Sequence, residues 1–150
     1  MLSREEIFDD SNGIRVPESP VHRSMKDIVR NELRSEDYRV VEEPLSPPTE
    51  WISWSTYRPD LLGYRMERQA EELVIVECET HPNMNRFLAK NFCSLSFQCS
   101  IFREGSIRRI LAVPQGKLGS VDLKLRRNWE VWVLGQTRTI EKMTKLPGQH

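Results

Sequence analysis

Three carboxylates define the chemistry this chain could perform. Asp60 opens the run Pro59-Asp60-Leu61-Leu62-Gly63, and Glu77 and Glu79 close the run Leu73-Val74-Ile75-Val76-Glu77-Cys78-Glu79. The second run is apolar and β-branched, and it reads as a buried strand. Side chains alternate along a strand, so Glu77 and Glu79 share one face and Cys78 takes the other. Two acids on one face at the end of a core strand repel each other. Without a cation or a proton to compensate them they are also costly to desolvate. If the strand that starts at Asp60 pairs antiparallel with the one that ends at Glu79, the polar stretch from Met66 to Glu72 connects them. Asp60 then comes back beside Glu77. Oxygen donors converging in this way suit a hard divalent cation such as Mg²⁺.

Pro59-Asp60 followed by Glu77-Cys78-Glu79 resembles the motif of the PD-(D/E)XK nuclease superfamily, the restriction-endonuclease-like fold. The resemblance implies that Asp60 and Glu77, with the carbonyl of Cys78, hold Mg²⁺ or Mn²⁺. It also implies that the residue two positions after Glu77 helps to activate water. That residue is a Lys in the usual pattern and Glu79 here; some restriction enzymes of the superfamily carry Glu at this position and remain active. A first-helix acid often leans into the metal site in the superfamily, which implies Glu32 as a further ligand. The implied substrate is a nucleic-acid backbone, DNA rather than RNA. Small nucleases of this fold often need a homodimer to cut two strands.

The elements that must position these residues follow from periodicity. A helix is expected from Ser24, a good N-cap, with Met25, Ile28, Val29 and Leu33 as its apolar stripe and Glu32 on the same stripe. Tyr38 to Glu42 and Trp51 to Tyr57 read as strands, and Gly63 marks a bulge or a close backbone approach in the next one. A long helix is expected from about Asn83 to Phe102, with Met84, Leu88, Phe92, Leu95, Cys99 and Phe102 on its buried face. Arg108 to Pro114 reads as a strand, Lys117 to Arg127 as a basic amphipathic helix, and Trp129 to Leu134 as a last strand. The expected order is α-β-β-β-α-β-α-β, an α/β domain with a mixed central sheet flanked by helices on both faces. That order is also the common core of the superfamily. Residues 1–21 read as a flexible arm, 22–136 as the single domain and 137–150 as a tail.

Composition narrows the functional classes. With 150 residues and 38% hydrophobic content, one domain has room for a core. No apolar run is long enough to cross a bilayer, and the acidic start of the chain lacks a signal-peptide core, so a cytoplasmic protein with no membrane partner is expected. Cys78, Cys93 and Cys99 are odd in number and lack CxxC spacing, which favours buried free thiols over zinc ligands. No P-loop and no GxGxxG is present. The formal charge is zero, yet residues 1–80 hold 10 Lys/Arg against 18 Asp/Glu, and residues 81–150 hold 12 against 4. The basic half suits a polyanion. Arg86, Arg108, Arg109, Lys124, Arg126 and Arg127 are the candidate phosphate contacts, and pairing between the two halves is the competing explanation. His81, two residues past Glu79, is a minor candidate for metal ligation or proton transfer. Two other readings stand beside the nuclease. One is a catalytically inactive nuclease-fold protein that binds nucleic acid or assembles with others. The other is an interaction module in which Glu77 and Glu79 pair with Arg58 and Arg65.

Overall fold

The tripeptide Glu18-Ser19-Pro20 decides where the first helix starts. In the computed structural model, which describes residues 18–44, 52–53, 59–67, 70–81, 98–99, 107–121 and 127–143, helix α1 runs Pro20–Ser35. Ser19 is extended, and its Oγ accepts the N–H of His22 at 3.1 Å. Pro20 fills the first helical position, where a missing N–H costs nothing. The helix therefore begins a turn before the expected Ser24 cap. The buried residues of α1 are Met25, Lys26, Ile28, Val29 and Leu33. It ends where Asp37 turns left-handed (φ 68°) and the Tyr38 N–H reaches back to the Leu33 carbonyl.

Strands β1 (Arg39–Glu42), β3 (Leu61–Glu67), β4 (Ala70–Cys78), β6 (Ile107–Pro114), β7 (Glu130–Leu134) and β8 (Ile140–Met143) form one six-stranded mixed sheet in the order β1-β3-β4-β6-β7-β8. β2 (Ile52–Ser53) and β5 (Gln98–Cys99) make a separate antiparallel pair. β1, β3 and β4 are antiparallel neighbours, β4 to β6 and β6 to β7 are parallel, and β8 returns antiparallel at the far edge. The polar stretch from Met66 to Glu72 is mostly paired strand, with Met66↔Glu71 and Glu67↔Ala70 in register. Gly63 sits in unbroken register with Val40 and Val74, so it is no bulge. A Cβ there would lie 3.5 Å from the Val74 side chain and 3.6 Å from that of Tyr38, ordinary contacts with side chains and not the expected close approach of another backbone.

The sheet separates two cores. Val74, Val76, Cys78, Ile110, Ala112, Trp132 and Leu134 pack under α1 with Met25, Val29 and Leu33. Leu73, Ile75, Leu111, Val113, Val131 and Val133 pack on the opposite face with Trp129 and Val121. The expected second helix is cut at 98–99 by the short strand β5, and the rest of it, 83–97 and 100–102, lies outside the described residues. Within the expected basic helix, Leu118–Ser120 forms a single 3-10 turn, and 122–126 lie outside the described residues. The parallel step from β4 to β6 requires a crossover between them. Among the described residues one α-helix covers the sheet, on one face. No helix among them is long and apolar enough to cross a membrane.

The cap can be tested directly. Ser19→Ala is expected to cost about 1 kcal/mol of stability in urea unfolding. Ser24→Ala, at an exposed position inside the helix, should be neutral or stabilise by about 0.3 kcal/mol. The reverse ranking would put the helix start at Ser24.

Candidate active site

Asp60 stands one residue before β3, at the corner where that strand meets the end of β4. Its Oδ2 accepts the backbone N–H of Cys78 at 2.8 Å, and its carbonyl accepts the N–H of Glu43 at 2.9 Å. The ladder continues one residue past β4, because the Glu79 N–H donates to the Ala112 carbonyl at 2.9 Å. Glu77 is 1% exposed and Glu79 7%. The Cys78 thiol between them reports the charges around it. Burial pushes its pKa well above the usual thiol value, Asp60, Glu77 and Glu79 push it further up, and Lys26 pulls it down. The antiparallel β3–β4 pair thus gathers all three acids around one strand end, although they are up to 19 positions apart in the chain.

Three further residues reach this corner from α1, and the sequence motif contains none of them. His22 and Lys26, four residues apart, lie along one side of the helix, and Glu18 stands just before the Ser19 cap. His22 Nδ1 is 2.5 Å from Glu18 Oε1; its Nε2 is 3.0 Å from the Cys78 carbonyl and 3.5 Å from Asp60 Oδ2. Burial works against a charge on the ring, but Asp60 and Glu18 outweigh it and lift the pKa to about 9. At neutral pH the ring is therefore an imidazolium, donating Nδ1–H to Glu18 and Nε2–H to the Cys78 carbonyl, and facing Asp60. Lys26 is 0% exposed. Its Nζ lies 2.6 Å from both Glu18 Oε1 and Glu42 Oε1 and 3.8 Å from Glu43 Oε1. The angles are not those of hydrogen bonds, yet at that distance the coulombic pairing holds whatever the angle. Burial opposes the ammonium, and Glu18 and Glu42 overcome it, holding the pKa above the ordinary lysine value. Glu42 also pairs with Arg23 and Arg30. Burial alone would raise its pKa, but Arg23 and Lys26 bring it down to about 2.

A signal for this stripe exists in the sequence. Counting back from Leu33 through Val29 in steps of four, three and four reaches Lys26 and His22, so the apolar stripe continues as a charged one. The N-cap expected at Ser24 hides it by placing His22 outside the helix.

The other candidate residues are distributed elsewhere. Glu32 lies ten residues after His22, about 15 Å along the helix axis, and accepts from Lys142 of β8 at 2.6 Å. It stands with the far edge strand and not with Asp60. Arg108 donates to both oxygens of Glu130, at 2.8 and 2.9 Å, and to the Tyr38 hydroxyl at 3.3 Å. It sits at the start of β6, away from the carboxylate end. Arg109 is 7% exposed and alternates onto the face that carries Glu77, whose register partner Leu111 is two residues away. Arg127 and His81 are exposed. Arg86, Lys124, Arg126 and Arg58 lie outside the described residues. Arg65 donates to Glu72 at 2.7 Å and its guanidinium lies 4.2 Å from the Tyr38 ring. Charges of the two halves pair across the fold in part: Lys142 and Arg108 both meet Glu36 of the acidic half.

The donor chemistry suits a hard cation. Asp60 Oδ2 and the Cys78 carbonyl share one corner, and Glu18 Oε2, buried without a hydrogen bond, lies 3.7 Å from Arg23 Nη1. Among the described residues no three His, Cys, Asp or Glu side chains are already drawn together as a metal cage. His22 is what engages Asp60 and the Cys78 carbonyl.

No protein-family profile matches the sequence, and no curated protein matches it. Among solved structures, the chain is similar to an XisH family protein from Nostoc punctiforme PCC 73102, at 13% identity and TM-score 0.45, over 80% of this chain and 98% of that one. It is similar at the same identity, with TM-score 0.44, to an fdxN element excision controlling factor protein from Anabaena variabilis, over 81% of this chain and 99% of that one. Likenesses at this level carry no function across.

The imidazolium sets a pH dependence. A group whose folded pKa is raised stabilises the fold fully below its unfolded value, near 6.5, and that stabilisation is lost as pH rises through about 9. Urea midpoints should therefore fall between pH 6.5 and 9, and His22→Gln should flatten that fall. An unchanged slope in His22→Gln would show that the ring is not held as a cation.

Proposed function

We propose that this chain is a metal-dependent nuclease that hydrolyses nucleic-acid phosphodiesters, DNA in preference to RNA. The observation that carries the reading is the Asp60 Oδ2 to Cys78 N–H bond of 2.8 Å, which ties the Pro59-Asp60 corner to Glu77-Cys78-Glu79. It supports the motif resemblance with spatial proximity, and the antiparallel-then-parallel sheet suits such a site. Asp60, Glu77 and the Cys78 carbonyl would hold Mg²⁺ or Mn²⁺. Bound there, the cation would lower the pKa of a coordinated water and stabilise charge on the scissile phosphate.

The residues of the chain do the rest. Glu79, fixed by its backbone bond to Ala112, accepts a proton from the attacking water. The water oxygen bonds to phosphorus, one ester P–O bond breaks, and the departing alkoxide takes a proton from solvent. The phosphate itself needs cations near the site, and the buried Arg109 shares a face with Glu77.

A second reading, a nuclease-fold protein that binds nucleic acid without cutting it, is favoured by one observation. His22 already presents a positive charge to Asp60 and the Cys78 carbonyl.

Plasmid and single-stranded DNA incubated with Mn²⁺ or Mg²⁺ should be cleaved, and a chelator should abolish cleavage. Glu79→Gln should reduce the rate by roughly 100-fold or more, the size of a lost general base. Asp60→Asn, which can keep an acceptor for the Cys78 N–H, should abolish the metal-dependent cleavage. Cleavage by Asp60→Asn equal to wild type would refute the nuclease. DNA retardation without cleavage, lost at moderate salt, would establish the second reading.

A further inference from the structure

Beside the carboxylate corner, a groove of about 520 Å³ opens between the first turns of α1 and the carboxyl ends of β6 and β7. Small-ligand sites span roughly 300 to 1,000 Å³. We propose that this groove takes one unpaired nucleobase of a nucleic-acid strand, so that the protein engages single-stranded regions in preference to paired duplex. The inference rests on the nucleic-acid part of the reading above and needs neither a bound cation nor strand cleavage.

The groove is close to the corner along the sheet. Cys78 is in register with Ala112 of β6, and Ala112 with Trp132 of β7. Two residues further on, the register pair Pro114 and Leu134 borders the groove. Two strand spacings across and two residues along place it on the order of 10 Å from the end of β4. Helix α1 serves both places. Val21, Ser24, Met25 and Ile28 recur at three- and four-residue steps and line the groove. His22, on the adjoining side, meets Asp60 and the Cys78 carbonyl. A strand whose backbone passes the corner therefore has the groove within reach of one of its bases.

A base has an apolar face and a hydrogen-bonding edge, and it is tied to an anion. The groove matches all three. Val21, Met25, Ile28, Pro114 and Leu134 supply apolar walls, and Val21 is the one large hydrophobic residue that stands exposed among the described residues, at 54%. Gln115 and Gln136 also line it, and each amide offers two donors and an acceptor of the kind that pairs with base edges. Arg138 adds a cation for the phosphate. Among the described residues no acid pairs with it, whereas Arg65 and Arg108 are occupied by Glu72 and Glu130. Two turns hold these polar groups in place. The Lys117 N–H reaches the Pro114 carbonyl past Gly116 (φ 90°), and the Arg138 N–H reaches the Gly135 carbonyl. A purely apolar ligand would leave the guanidinium and both amides unused. A base in a duplex has its faces stacked and its edge paired, so only an unpaired one is available.

The test uses the full chain, with a chelator present so that no strand is cut. Fluorescence anisotropy follows end-labelled oligothymidine, a fully abasic strand of the same length, and the thymidine–adenine duplex. Oligothymidine should bind about 10-fold more tightly than either of the others. Ser24→Leu, at an exposed position on the groove wall, should bring oligothymidine down to the abasic level and leave the salt dependence unchanged. Arg138→Asn, a residue that suits the left-handed backbone there (φ 61°), should weaken both single strands and lower the salt slope by about one.

Equal affinity for oligothymidine and the abasic strand overturns the inference, as does a preference that Ser24→Leu leaves intact. Duplex bound as tightly as the single strand overturns it too. A concentration-dependent dimer that Ser24→Leu disperses assigns the groove to a second copy of the chain, with the same consequence. Cleavage is scored separately with Mn²⁺. A protein that prefers bases yet cuts nothing loses the nuclease reading and keeps the groove. One that cuts without the preference keeps the nuclease reading and loses the groove.

Discussion

Carboxylates placed inside a protein must be compensated, and most of the unusual features of this chain can be traced to that constraint. Glu77 and Glu79 end a core strand and are almost wholly buried, and Asp60 is locked against them by the Cys78 N–H. In a medium less polarisable than water, three such groups repel one another strongly unless cations stand close by. At Asp60 the fold answers with a helix that begins early and brings His22 to the corner. His22 and Lys26 lie on one side of it, and Glu18 links them.

The same constraint explains why α1 is amphipathic in an unusual way. Its apolar residues, Met25, Ile28, Val29 and Leu33, seal the core over β4 and β6. Its first two turns present cations where a hydrophobic helix would present leucines. Burying an ion pair seldom stabilises a fold beyond what well-packed apolar residues would achieve, and here Lys26 and Arg23 tie α1 to Glu42 of β1. At the opposite end of the sheet the electrostatics are of an ordinary kind. Arg65 and Arg108 flank Tyr38 and pair with Glu72 and Glu130, which closes the end of the sheet near the C-terminus of α1. These arginines are occupied by acids, and the net charge of the basic half is partly spent inside the molecule.

How much of this was legible beforehand varies by element. The strands were readable because β-branched runs such as Leu73 to Val76 and Ile110 to Val113 declare themselves by composition. The return of Asp60 to Glu77 followed from a single assumption, antiparallel pairing of β3 with β4, which the register bears out. The expected cap, Ser24, lies five residues past the actual one, since Ser19 and Ser24 are both acceptable caps and only the Pro20 that follows Ser19 tips the choice. That small shift concealed the charged stripe. Glu32 shares the helix with His22 but stands about 15 Å along its axis, with Lys142 of the far edge strand. Helical phase places a residue on a face and says nothing of which strand end that face meets.

The sequence by itself determined which groups could do chemistry and which segments would be buried, because residue type and local periodicity are properties of short stretches of chain. Only the tertiary structure decided which charges became neighbours. A cation on residue 22 meets an acid on residue 60, and one on residue 26 meets an acid on residue 42, through helix-on-sheet packing and strand register, and both are set by burial of apolar surface spread over the whole domain.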